Sequence, residues 1–506
     1  MSNNMKNESR LKDHKQNKKK LNPPLLAGGM NIQGSSWYDE RLPEMLWAVL
    51  IVGNIEREEA LKFFRYIAKF IHDNQDCFDI TLTGISKLLA EKRELFIKYF
   101  VSYSEDINKI LQSLILFPKL PGFSDWEKVL SKSNPNENWR KISKGIAKSF
   151  WHQSQEATDC RWIKILCQIL GGKINFPKEM KDDIQGILEY PRFGDMRKVR
   201  PSIRALEITF AINKENSELN WSEYFWKYCF DHTGCIPEEA VSKKIEKRQK
   251  KLSDEMEYSR KHYFDKTAEI RKNLIDHFFA SSKNSTIDAR QEGAFGLTLY
   301  AFSLFIEVIF YRTSLSITGR LGLRALVETY ITFSYLLKKE KIEPRVWDDY
   351  RLYGTGQIKM IYLKLQEMNQ KLSSIDLDEM ENIANEDKWV EFVPINLGHW
   401  DSVSLRKMAE DVKLTKLYDK FYNYTSGFMH GNWGAVRESI YQKCINPLHR
   451  YHRVPIFDLP LMPSVTKDAQ AIMNLILECL SKAYPTFEQR ITYNKGKSLK
   501  RKTVKI

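Results

Sequence analysis

The sequence predicts an all-α protein built as two helical domains joined by a long charged helix. Three observations carry this reading. Apolar residues recur at three- and four-residue spacing along most of the chain, as a helix with one buried face requires. No run alternates with the period of two that marks a half-buried strand. Segments such as "PKLPGF" and "SNPNENW" interrupt the apolar runs with proline, glycine and asparagine, which places loops between helices of ordinary length.

Residues 1–36 form a polar, basic arm with too few apolar residues to fold, and are expected to be disordered. Residues 37–236 follow as the N-terminal helical domain, with the helical stretches "LPEMLWAVLIVG", "REEALKFFRYIAKFIH" and "CRWIKILCQIL". Residues 237–282 read as the connector. Pro237 suits a first helical position, Glu238 and Glu239 suit the positive end of the helix dipole, and dense Lys/Glu alternation suits a solvated helix. Residues 283–488 form a second bundle. Its helices are a strongly apolar one over 294–312, one from Gly319 to Lys339, "RVWDDYRLYGTGQIKMIYLKLQEM", "LYDKFYNYTSGFMHG" and "DAQAIMNLILECLSKAY". Residues 489–506 are a basic tail.

The formal charge of +15 suggests nucleic acid until it is located. Residues 1–22 and 490–506 together carry +12 of it, leaving +3 for the body. The tails can attract an anionic polymer through counterion release, whereas the body is close to balanced. Seven scattered cysteines are an odd number with no framework spacing, which favours a reducing, cytoplasmic setting. "GAFGLTLYAFSLFIEVIFY" is long enough to cross a bilayer, but Glu307 inside it and its amphipathic flanks favour a core helix and no stable membrane insertion.

No dinucleotide, P-loop, zinc-protease or paired CxxC signature is present. Cys229, His232 and Cys235 have ligand-like spacing but no fourth ligand nearby, so neither a metal site nor a cofactor is expected. In "EYPRFGDMRKVRPSIRALEI", Pro201 suggests a helix start. Arg197, Lys198 and Arg200 would then lie in the turn before it and Arg204 in its first turn. That arrangement suits a nucleic-acid phosphate. The competing reading pairs these cations with Asp195 and Glu207 as a brace.

In "RLGLRALVETYITFSYLLKK", Arg324 and Glu328 are four residues apart among apolar neighbours, and a charged pair there needs partners from another helix. Tyr422, Ser426 and His430, also spaced by fours, would supply them from one face of a helix ending at Gly431. His430 is expected to face Arg324 and Glu328. Such a set can support acid–base chemistry, nucleotide binding or a satisfied polar network.

"GRLGLRALVET", "HWDSVSLRKMAEDV" and "LYDKFYNYTSGFMHG" resemble a bacterial and archaeal family of unknown function, as does the upstream "YPRFGDMRKVRPSIRALE". The likeness spans roughly residues 190–440. The family's helical core resembles HEPN (higher eukaryotes and prokaryotes nucleotide-binding) domains, whose members often lie among antiviral-defence genes and in several cases cut RNA. The resemblance implies a HEPN-like C-terminal bundle that binds RNA or cleaves it without a metal, with Arg324, Glu328, Tyr422, Ser426 and His430 as the site. RNA and a protein encoded in the same operon are the partners it implies. One departure stands out. HEPN ribonucleases carry Arg, four to six residues, then His, and the positions so placed before His430 are Asn423, Tyr424 and Thr425. Arg65/His72 and Arg271/His277 do have that spacing. The alternative to an RNA-directed effector is a non-catalytic scaffold that binds a partner protein, with the Arg/Glu/His cluster purely structural.

Overall fold

The structure is a computed structural model that describes residues 11–17, 20–22, 36–174, 181–211, 221–238, 243–281, 288–311, 313–368, 372–386, 393–395, 400–401, 403–456 and 461–492. It is all-α, with two short two-stranded ribbons as the only sheets among the described residues. One ribbon lies in the N-terminal arm, where Lys15–Asn17 runs antiparallel to Lys20–Asn22.

The chain divides into two compact units. The first comprises residues 1–237 and 443–452, and the second residues 238–442 and 453–506. The principal helices of the first are α1 (Leu46–Asn54), α2 (Arg57–Asp73), α3 (Pro135–Ser149), α4 (Gln155–Leu170), α5 (Met196–Ala211) and α6 (Trp221–His232). α1 is apolar on every side, and Leu46 through Gly53 are all buried, so it forms the centre around which the others pack. Its closest neighbour is α3. A Cβ on Gly53 would collide with Gly145, so glycine at both positions lets the two backbones touch. Trp47, Phe63, Phe64, Phe96, Phe100 and Trp126 fill the core beside α1 in mostly edge-to-face pairs. Trp47 Nε1 donates to the Ile80 carbonyl at 2.8 Å, which satisfies its one polar atom.

In the second unit the principal helices are α7 (Lys243–Ser281), α8 (Ala289–Phe310), α9 (Ile317–Lys339), α10 (Val346–Glu367), α11 (Thr415–Met429), α12 (Trp433–Ile440) and α13 (Thr466–Ala483). α8, α9 and α13 pack against one another, and α11 covers α9. α8 is the one described helix long and apolar enough to cross a membrane. Here Phe295, Phe302, Phe305, Val308 and Ile309 lie in the second core, while Glu307 is exposed.

Two features differ from the sequence expectation. The charged helix α7 is not solvated all round, because Tyr263, Ile270 and Leu274 are buried in the second unit's core against α8. These three residues fall at helical spacing and make a narrow apolar stripe that the surrounding lysines and glutamates obscure. Residues 443–452, read as part of the second bundle, belong to the first unit, where Leu448 joins the core at 3% exposure.

Candidate functional site

The second unit brings Arg324, Glu328 and Tyr422 together. Arg324 lies on α9 and is 11% exposed, while Glu328, one turn on, is 38% exposed. Arg324 Nε donates to Glu328 Oε1 at 2.8 Å, and Nη2 donates to the Tyr422 hydroxyl on α11 at 2.7 Å. The guanidinium also lies 4.2 Å from the centre of the Tyr422 ring, a cation–π contact that Tyr418 supports by stacking on Tyr422 at 4.4 Å. Arg324 Nη1 is buried and reaches no hydrogen-bond partner. Glu328 also faces a cleft of about 540 Å³ between α8, α9 and α10, whose wall includes Glu292, Tyr300, Thr329, Tyr350 and Arg351. Arg351 and Glu292 pair across it at 3.3 Å.

The other two expected members stand apart. Ser426 is half-buried and His430 exposed, and neither makes a side-chain hydrogen bond with Arg324 or Glu328 among the described residues. The reason is helical rise. His430 is eight residues beyond Tyr422, which carries it about 12 Å along the axis. His430 instead caps the C-terminus of α11, its backbone N–H donating to the Ser426 carbonyl at 3.1 Å. Gly431 then turns the chain with φ of 61°, in the left-handed region where glycine is favoured. Near His430 in the chain, Trp433 is 63% exposed and Tyr424 is 48% exposed, and α12 presents Arg437 beside Glu438, whose carboxylate accepts the Tyr424 hydroxyl at 3.0 Å.

The second basic candidate changes character. α5 begins at Met196, not at Pro201, which lies inside the helix. Asp195 supplies the start instead. Its Oδ1 accepts the Arg197 N–H at 3.0 Å, and its carbonyl accepts from Lys198 and Val199. Arg197 and Lys198 are therefore exposed first-turn residues, and Arg197 is tied to Asp195 at 3.0 Å. Arg200 and Arg204 are half-buried, and Arg204 Nη1 reaches Thr158 Oγ1 at 3.5 Å. Burial, then repulsion from Arg200, lowers the Arg204 guanidinium. Glu207 does not take Arg204 as its partner. It is fully buried and holds Lys164 at 2.8 Å, Arg161 at 3.4 Å and Arg41. Burial pushes the Glu207 carboxyl up, but Lys164, Arg41 and Arg161 outweigh it and hold the group below the usual carboxylate range. Arg161 is brought down to about 10, first by burial and then by Arg41, against the pull of Glu207.

The Arg–His spacings elsewhere do not converge. Arg65 and His72, seven apart, lie on one side of α2 but about 10 Å apart along its axis, and Arg271 and His277, six apart, point in different directions on α7. Arg65 donates to the Tyr190 carbonyl while His72 pairs with Asp73, and His277 meets Thr486 at 3.0 Å while Arg271 is exposed. Three residues that carry structure escaped the sequence reading. Asp401, in the quoted "HWD", accepts the Tyr335 hydroxyl at 2.6 Å and pairs with Lys339, tying its loop to α9. Burial, then Asp401, pushes the Tyr335 phenol up to about 12. Cys235 is separated from Cys229, which is buried in the first core, and from His232, whose Nδ1 donates to the Tyr228 carbonyl.

Residues 291–443 match DUF5677, a family of unknown function. The match covers α8 through α12 and so contains Arg324, Glu328, Tyr422, Ser426 and His430, while "YPRFGDMRKVRPSIRALE" lies outside it. No curated protein and no solved structure matches the chain.

Proposed function

We propose that the second unit is a HEPN-like bundle that binds single-stranded RNA, as part of a cytoplasmic prokaryotic antiviral defence protein. The observation that carries the RNA reading is the exposed aromatic surface at the end of α11 and on α12. Tyr424 and Trp433 are 48% and 63% exposed and offer ring faces on which unpaired bases can stack. Arg437, exposed on α12, can meet a phosphate oxygen. His430, exposed at the end of α11, is placed to exchange a proton with solvent and serves as the acid/base if the RNA is cut. The defence role rests on the resemblance of the quoted motifs.

The test is binding of a fluorescent single-stranded RNA by the full chain, together with RNA integrity in magnesium-free buffer. Trp433→Ala is expected to weaken binding by about fivefold to a hundredfold, the range for one lost stacking contact. His430→Ala is expected to retain binding and the melting temperature and to abolish any cleavage. Unchanged affinity in Trp433→Ala and in Arg437→Ala, with both variants folded, sinks the reading.

One observation favours a non-catalytic scaffold. Arg324, Glu328 and Tyr422 bridge α9 and α11, as a brace between helices does. In that case Arg324→Ala lowers the melting temperature and leaves RNA untouched, and the exposed aromatic surface serves a partner protein.

A further inference from the structure

We infer that the first unit holds a structural zinc ion between Cys235, Cys444, His449 and His452. The ligand atoms of these four residues all lie within 4.8 Å of one another. Cys235 Sγ is 3.3 Å from His449 Nδ1 and 3.2 Å from His452 Nε2, and Cys444 Sγ is 3.8 Å from His449 Nδ1. Zinc bonds of about 2.3 Å to sulfur and about 2.0 Å to nitrogen, at tetrahedral angles, put sulfur and nitrogen about 3.5 Å apart. The three separations bracket that value. Two thiols and two imidazoles are also the donor set that selects zinc over harder cations.

The surroundings are those of a ligand cage. His449 Nε2 lies 3.1 Å from the Thr233 carbonyl and 3.0 Å from its hydroxyl. With Nε2–H donating there, the lone pair of Nδ1 points at the sulfurs, the usual way a ligand imidazole is oriented. Asn446 holds the Thr233–Gly234 turn by donating to the Thr233 hydroxyl at 3.2 Å and the Gly234 carbonyl at 2.9 Å. The Ile236 N–H donates to Cys444 Sγ at 3.4 Å, which fixes the direction of that side chain. Between the two histidines, Arg450 and Tyr451 both take positive φ, 52° and 51°. Neither is glycine, so the turn that brings His449 beside His452 is held against its local preference.

All four positions of a tetrahedral ion come from the protein, which makes the site structural and not catalytic. Binding replaces two thiol protons: zinc ion plus two thiols and two neutral imidazoles gives an uncharged complex and two protons released to solvent. The ion would join the end of α6 to the late segment 443–452, two stretches more than two hundred residues apart.

The experiment uses the full chain without an affinity tag, purified from cells grown with ordinary trace metals, and reads metal content by mass spectrometry. About one zinc per chain is expected, falling to a small fraction in Cys235→Ser and in His452→Ala. Cys235 is exposed and His452 half-buried, so both variants are expected to fold. Apo protein titrated with cobalt(II) is expected to show the visible bands of a tetrahedral sulfur–nitrogen site. Zinc retained undiminished in both variants, cobalt without those bands, or a Cys235–Cys444 disulfide in protein prepared without air would each overturn the inference. None of these readouts involves RNA, so the outcome is independent of the function proposed above.

Discussion

Glu207 in the first unit and Glu328 in the second both meet arginine, and the protein treats them in opposite ways. Glu207 is 0% exposed and is surrounded by Arg41, Arg161 and Lys164. Glu328 is 38% exposed, has Arg324 as its ion-pair partner, and borders a cleft. A carboxylate removed from water must have its lost hydration replaced by several donors, and so it becomes a fixed point of the fold. A carboxylate left at the surface needs little and contributes little to stability.

The sharpest way to break this contrast is Glu207→Gln. Three cations then share a buried space without their carboxylate, and a loss of about 3–5 kcal/mol is expected in the unfolding transition of the first unit, read by denaturant titration. The same residue gives a pH signature. Its folded pKa is depressed, so its contribution is fully present above the unfolded value of about 4.3 and is lost as pH falls through the lower folded value. The wild-type protein should therefore lose more stability between neutral pH and the acid range than Glu207→Gln does. An equal loss in both would show that the three cations do not act through this carboxylate.

A smaller effect is expected at the other end of the comparison. Glu328→Gln should cost about 1 kcal/mol or less, because its carboxylate is screened by solvent. A loss as large as that of Glu207→Gln would make the Arg324 cluster a core brace and favour the scaffold reading. The smallest effect belongs to Arg197→Ala. That side chain is exposed and pairs with Asp195 on the surface, so no measurable change in melting temperature is expected. A clear drop would mean that the start of α5 depends on it.

Local patterns were legible in the sequence and distant ones were not. The helices follow from apolar spacing, and the Arg324–Glu328 pair follows from its four-residue separation on α9. Gly431 was readable as a helix end because few other residues adopt its backbone angle. Pro201 misled because proline usually opens a helix, whereas Asp195 caps this one six residues earlier and Pro201 lies more than a turn inside it. The four-residue spacing puts Tyr422, Ser426 and His430 along one face, but two turns of helix separate the first from the last. The partners of Glu207 and of Cys235 come from segments far away in the chain, and no window of sequence contains both sides of either cluster.

The order in which the chain is made gives residues 443–452 a further consequence. A ribosome synthesising this protein from its N-terminus finishes α1 through α6 early, but Leu448 and the three late members of the Cys/His cluster emerge only after most of the second unit. The first unit must therefore wait, with the place for Leu448 open, while its successor is translated. Arrest of synthesis anywhere between residues 238 and 442 yields a nascent first unit that lacks part of its own core.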